Sequence, residues 1–92
     1  MIIMKAVISV IGKDKVGILA MVSNACAKAN VNITDVTQTI LQENFVMMMM
    51  VEFSEHSVPM AQFAKELSEL GTQNGLEIRV MHEGIFQAMH RI

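Results

Sequence analysis

Tryptophan and tyrosine are missing from this 92-residue chain, cysteine occurs once, and charged residues make up only 17% of it. Nucleic-acid binding needs a basic stripe or stacking aromatic rings. The formal net charge is −2 and the four phenylalanines are not clustered, so direct contact with nucleic acid is not expected. The lone Cys26 rules out an intrachain disulfide and a two-thiol metal loop alike. His56, His82 and His90 are scattered, with no paired ligands at the spacing of a structural zinc site. Lys5 interrupts the short apolar start, so there is no signal pattern, and the apolar run Phe45 to Val51 is far below a membrane span. The expectation is a soluble, cytoplasmic chain with no membrane partner and no cofactor.

Against these scarcities, 52% of the residues are hydrophobic and ten are methionine. That length and content suit one small domain with a modest core, here residues 1–92, with a core at 4–82 and a tail at 83–92. Methionine is soft and fills adaptable contact surfaces, so its excess points to an adhesive face.

Met4 to Ile11 has the β-branched content of a strand, with Ala6, Ile8 and Val10 turned inward and Lys5 and Ser9 outward. Gly12 to Gly17 reads as a loop. Ile18, Val22, Ala25, Cys26 and Ala29 recur at spacings of three and four, the stripe of a helix over 18–29. A second strand follows over 33–42. Residues 42–44 make a tight turn in which Asn44 is suited to a positive φ. The third strand, "FVMMMMVEF" over 45–53, is apolar on both parities and should be central. Ser57 is the expected N-cap of a second helix, Pro59 lies in its first turn, and Gly71 or Gly75 ends it. Its stripe is Met60, Phe63, Ala64, Leu67 and Leu70. Leu76 to His82 alternates as the fourth strand, and the tail reads as one or two helical turns.

The order β-α-β-β-α-β specifies an α+β fold, a ferredoxin-like sandwich with a four-stranded antiparallel sheet and both helices on one face. The other face would show Val7, Ile11, alternate methionines of the third strand and Met81. So apolar a surface calls for a cover. A second copy is the preferred reading; the C-terminal tail of the same chain is the other.

Gly12 and Gly17 have the glycine spacing of a nucleotide P-loop, but Ile18 and Leu19 stand where Lys and Ser or Thr are required. The dinucleotide pattern GxGxxG is absent. Cys26 sits within a helical stripe as a small core residue, with only Lys28 nearby to lower its pKa. Ser9, Ser23 and Ser54 have no His and acid at local spacing, and no general acid–base pair is evident. Catalysis is therefore not expected. Binding by main chain remains. Gly17 opens a helix whose free N–H groups favour an anion, and glycine permits close approach. Asp14 suits an ammonium group, and the Asn32 amide both donates and accepts. An α-amino acid carries both charges on one carbon. Each residue also has an ordinary reading, as turn, loop or helix terminator.

The segment "VIGKDKVGILAMVSNACAKANVNITDV", residues 10 to 36, resembles the opening of the ACT domain, a small regulatory module of amino-acid metabolism. The family pattern D-x-P/V-G-x-L is met by Asp14, Val16, Gly17 and Leu19, and its V-N-I by Val31, Asn32 and Ile33. Length and ending resemble a UPF0237-like subgroup of single-domain ACT proteins. The resemblance implies domains paired through the second strand into an eight-stranded sheet, with amino acids bound where one domain's first loop meets its neighbour. It implies ligand-binding roles for Gly12, Asp14, Val16, Gly17 and Asn32. Gly12 stands where some members place a side-chain contact, and Val16 replaces the usual proline. The expected function is a non-catalytic sensor, a dimer or higher homo-oligomer that binds an amino acid and modulates a partner enzyme or regulator. A ligand-free docking module and a transcriptional co-regulator are the alternatives.

Overall fold

A computed structural model describes residues 3–13 and 16–84 of the chain. The elements run β1 (Met4–Lys13), α1 (Ile18–Lys28), β2 (Asn32–Leu41), β3 (Asn44–Phe53), α2 (Met60–Asn74) and β4 (Leu76–His82). The strands form one sheet in the order β2-β3-β1-β4, antiparallel at every pairing. This is the ferredoxin-like sandwich that the element order specifies.

Register explains the core. Ala6, Ile8 and Val10 lie across from Val51, Met49 and Met47 of β3, and Ile8 and Val10 face Val80 and Ile78 of β4. One parity of the two central strands is thus apolar throughout and packs beneath the helices, where Ile18, Val22, Cys26, Phe63 and Leu67 are buried. The Phe63 ring meets Phe53 edge-on, with centroids 5.4 Å apart and planes at 79°, the arrangement that aromatic quadrupoles favour. Burying a side chain of the size of Phe63 or Leu67 is worth roughly 1.5–3 kcal/mol.

The helix ends are set by local chemistry. After α1 the chain turns at Asn30 in the left-handed region (φ 58), and Val31 N–H donates to Cys26 O at 2.9 Å; asparagine tolerates that conformation. Helix α2 stops at Gly75 (φ 70), with Gly71 buried inside the helix. Ser57 is not its N-cap. That position falls on Pro59, without a side-chain cap, because the Ser57 hydroxyl is engaged elsewhere.

Three further expectations are corrected. Gly12 and Lys13 belong to β1 rather than to the loop, since Gly12 is paired with Phe45 on one side and Leu76 on the other. The positive φ in the β2–β3 turn lies at Gln42 (φ 58), while Asn44 opens β3 opposite Leu41. Val7, on the face away from the helices, is fully buried; it lies on a central strand with Met50 and Met81 at its cross-strand positions. Val46, Met48, Met50 and Met81 on that face are half-buried and Ile11 is exposed. The helical turns expected of the tail lie, beyond residue 84, outside the described residues.

A non-glycine residue in left-handed backbone costs roughly 1–2 kcal/mol, and part of that is recovered by glycine after its larger entropy loss. Gln42→Gly is therefore expected to stabilise the fold by about 0.5–1 kcal/mol, read as a Tm some 2–8 °C higher in thermal unfolding. An unchanged or lower Tm would show that Gln42 is not strained.

Candidate functional site

Strand β1 gives way to α1 at Gly17, whose backbone is left-handed (φ 88, ψ 7). A Cβ there would meet nothing within 4 Å. Glycine is thus required by the backbone and not by crowding among the described residues. The first bond inside α1 runs from Met21 N–H to Gly17 O at 2.9 Å, so the N–H groups of Ile18, Leu19 and Ala20 precede the ladder. Among the described residues no side chain caps α1, and its first turn holds no acid. The positive end of the helix dipole has no compensating charge among them.

The other expected site residues are distributed unevenly. Val16 adjoins Gly17 and is fully exposed. Asp14 lies outside the described residues. A Cβ on Gly12 would lie 2.6 Å from Leu76 Cδ2 and 3.2 Å from Gly75 O, so this glycine has a packing reason of its own: β1 passes close to the start of β4. Asn32 is exposed and opens β2, opposite Glu52, whereas Gly12 is opposite Phe45. Seven residues of β3 separate those rungs, roughly 23 Å at strand rise. The eleven residues of α1 likewise hold Gly17 and Asn32 about 16 Å apart. One chain brings Gly12, Val16 and Gly17 to one end of the sheet and sends Asn32 to the other.

The Asn32 end is tied down by a clasp that sequence reasoning missed. Ser57 Oγ donates to Asn30 O at 2.5 Å and accepts from Ser54 N–H at 2.9 Å. Asn30 Nδ2 donates to His56 O at 3.2 Å, and Val58 N–H to Ala29 O at 3.0 Å. These bonds join the end of α1 to the loop before α2 and set where β2 begins. They also account for Ser54 and His56: the Ser54 hydroxyl accepts from the His56 backbone N–H at 3.2 Å, and the His56 ring is exposed beside Glu55 at 3.7 Å. His82 ends β4 by accepting from Gly84 N–H at 3.0 Å. No group of His, Cys, Asp and Glu suited to a metal ion occurs among the described residues, and no helix among them is long and apolar enough to cross a membrane.

Concavities were invisible in the sequence because they depend on how elements meet, and two of those among the described residues bear on the site. An open groove of about 700 Å³ runs between the helices, lined by Met21, Asn24, Lys28, Val58, Glu66 and Leu70 among others. A hollow of about 450 Å³ is lined by Gln38, Thr39, Ile40 and Phe45, at the Gly12 end of the sheet.

The sequence pattern of the ACT domain matches residues 5–81. A UPF0237 protein of Clostridium acetobutylicum is 47% identical over 89 residues, covering 97% of this chain and all of its own. A UPF0237 protein of Methanopyrus kandleri is 41% identical over 88 residues, covering 96% of this chain and 98% of its own. Among solved structures, an ACT domain protein from Streptococcus pneumoniae superposes with a TM-score of 0.79 at 39% identity, over 95% of this chain and 98% of that one.

Cys26 is placed in the core under α1, 1% exposed, and burial pushes its thiol from the ordinary 9.0 up to about 11. It is a packing residue, as its place in the stripe indicates. Because the folded pKa is the higher one, the unfolded chain ionises first. The stability held below about pH 9 is then lost as pH rises toward 11. Wild type is expected to lose about 2–3 kcal/mol more than Cys26→Ala across that window in urea titrations. Parallel pH profiles for the two proteins would contradict the burial of this thiol.

Proposed function

As the chain belongs to the ACT domain family, whose members are typically small-ligand-binding regulatory domains, we propose that it is a non-catalytic amino-acid sensor whose site is completed by a second copy. One observation carries this reading: Gly17 and Asn32 stand at opposite ends of α1. The ammonium and carboxylate of an α-amino acid share one carbon and do not bridge that span. Both residues serve one ligand only if they come from different subunits.

The edge of the sheet supports the pairing. Strand β2 is bonded on one side only, to β3. It is ten residues long, mostly exposed, and contains no Lys, Arg or Pro, the residues by which proteins guard an open edge. The opposite edge, β4, is shorter and carries the Glu77–Arg79 pair on its outward parity. Antiparallel pairing of β2 with its counterpart about the strand's midpoint sets Asn32 of one copy beside Leu41 of the other, at the end that holds Gly17. The carboxylate then takes the free N–H groups of α1 in one subunit, and Asn32 of the other holds the ammonium group. Asp14 is assigned the same ammonium group. Gly12 and Val16 give the site its backbone wall.

A ligand that touches two subunits favours the associated state by its differential affinity, and altered association is the signal passed to a partner enzyme or regulator. The second reading, a ligand-free docking module, draws on the half-buried Met48, Met50 and Met81 of the helix-free face.

Thermal-shift titration with the twenty amino acids separates these readings. One amino acid, or a small group, is expected to raise Tm, since a ligand at a hundred times its Kd stabilises by about 2.7 kcal/mol. Asn32→Ala should weaken that ligand roughly 10–100-fold by removing hydrogen bonds to a charged group. Gly17→Val should abolish the shift. No shift with any amino acid contradicts the sensor and leaves the docking module.

A further inference from the structure

We infer that the amino acid recognised has an uncharged, apolar side chain, received by the hollow over Phe45. This inference rests on the sensor reading above and specifies its ligand class.

The hollow lies where the proposed site needs a side-chain pocket. Phe45 is the cross-strand partner of Gly12 and of Ile40, so the hollow opens at the end where β1 leads into Gly17. Phe45 packs in the core beneath the helices, and its rung partner Ile40 shares that side of the sheet. Gln38 shares it too, opposite the buried Met47. Among the described residues the lining is thus two apolar side chains, one amide and one threonine, without a charge. A pocket of that composition receives apolar groups and has no counter-ion for a charged one. The charged residues described at this end do not supply one. Lys13 shares the parity of Ser9 and Ile11, away from the helices, and Glu43 sits in the turn beyond the strands.

A second observation concurs. Among the described residues, the exposed large hydrophobics are Ile3, Ile11, Val16, Leu19, Ile40 and Leu41. All but Ile3 gather at the Gly17 end. Val16 adjoins Gly17, Leu19 lies in the first turn of α1, and Ile40, 58% exposed, stands at the hollow. Apolar side chains at the end that holds an uncompensated helix start suit a molecule with a carboxylate at one end and a hydrocarbon at the other.

Calorimetric titration of the full chain tests this. The ligands are leucine, isoleucine, valine, methionine and phenylalanine, set against glycine, serine, aspartate and lysine. At least one of the first group is expected to bind ten-fold or more tightly than every member of the second. Gln38→Glu, which brings a carboxylate to the hollow, should weaken that ligand at least ten-fold at protein concentrations where sedimentation shows the wild-type assembly, and Ile40→Leu should preserve binding. Unselective binding, or preference for a charged or hydroxylated amino acid, overturns the inference and spares the sensor; the exposed cluster is then an interface between copies only. No binding by any amino acid overturns both.

Discussion

A left-handed backbone at Gly17 is the constraint on which this account rests. It lets an extended strand turn into a helix without a side chain in the way, and among the described residues the first N–H groups of α1 have no side-chain cap. A residue with a Cβ would resist that conformation. An acid in the first turn would neutralise the dipole that the opening presents. Neither is present among the described residues, so the first N–H groups of α1 remain available to an anion.

The sheet turns that local feature into a question about assembly. Because β1 and β2 lie on either side of β3, the start of α1 and the start of β2 are directed to opposite ends of the domain. The clasp made by Ser57, Asn30 and Ser54 then holds the Asn32 end in place. In the function proposed above, Gly17 and Asn32 are the two halves of a site, and the unguarded edge strand is where a second copy brings complementary halves together.

Much of this was legible in the amino-acid order. Parity along 4–11 and 76–82, and the three-and-four spacing along 18–29, are direct consequences of one buried face, so element order and core emerged with few errors. The errors came where tertiary context overrode local preference. Asn44 has the better propensity for positive φ, yet register with Leu41 puts the strain on Gln42. Ser57 resembles a cap, but its hydroxyl is drawn to Asn30 O. Gly12 reads as loop until its two flanking strands are known. At the site, Gly17 was legible because its chemistry is local. The hollow over Phe45 was not, because Gln38, Ile40 and Phe45 become neighbours only through the β2–β3 ladder, and nothing in their spacing announces it.

The central claim, that each site draws on two subunits, is tested most directly by subunit mixing. Gly17→Val and Asn32→Ala proteins, neither able to bind the amino acid at wild-type affinity alone, are combined, dissociated and reassociated. A mixed dimer then carries one site with both residues intact and one with both altered. The account predicts that the mixture regains part of the wild-type binding capacity at wild-type affinity. A mixture as inert as its components would contradict it, since a site contained within one chain gains nothing from exchange.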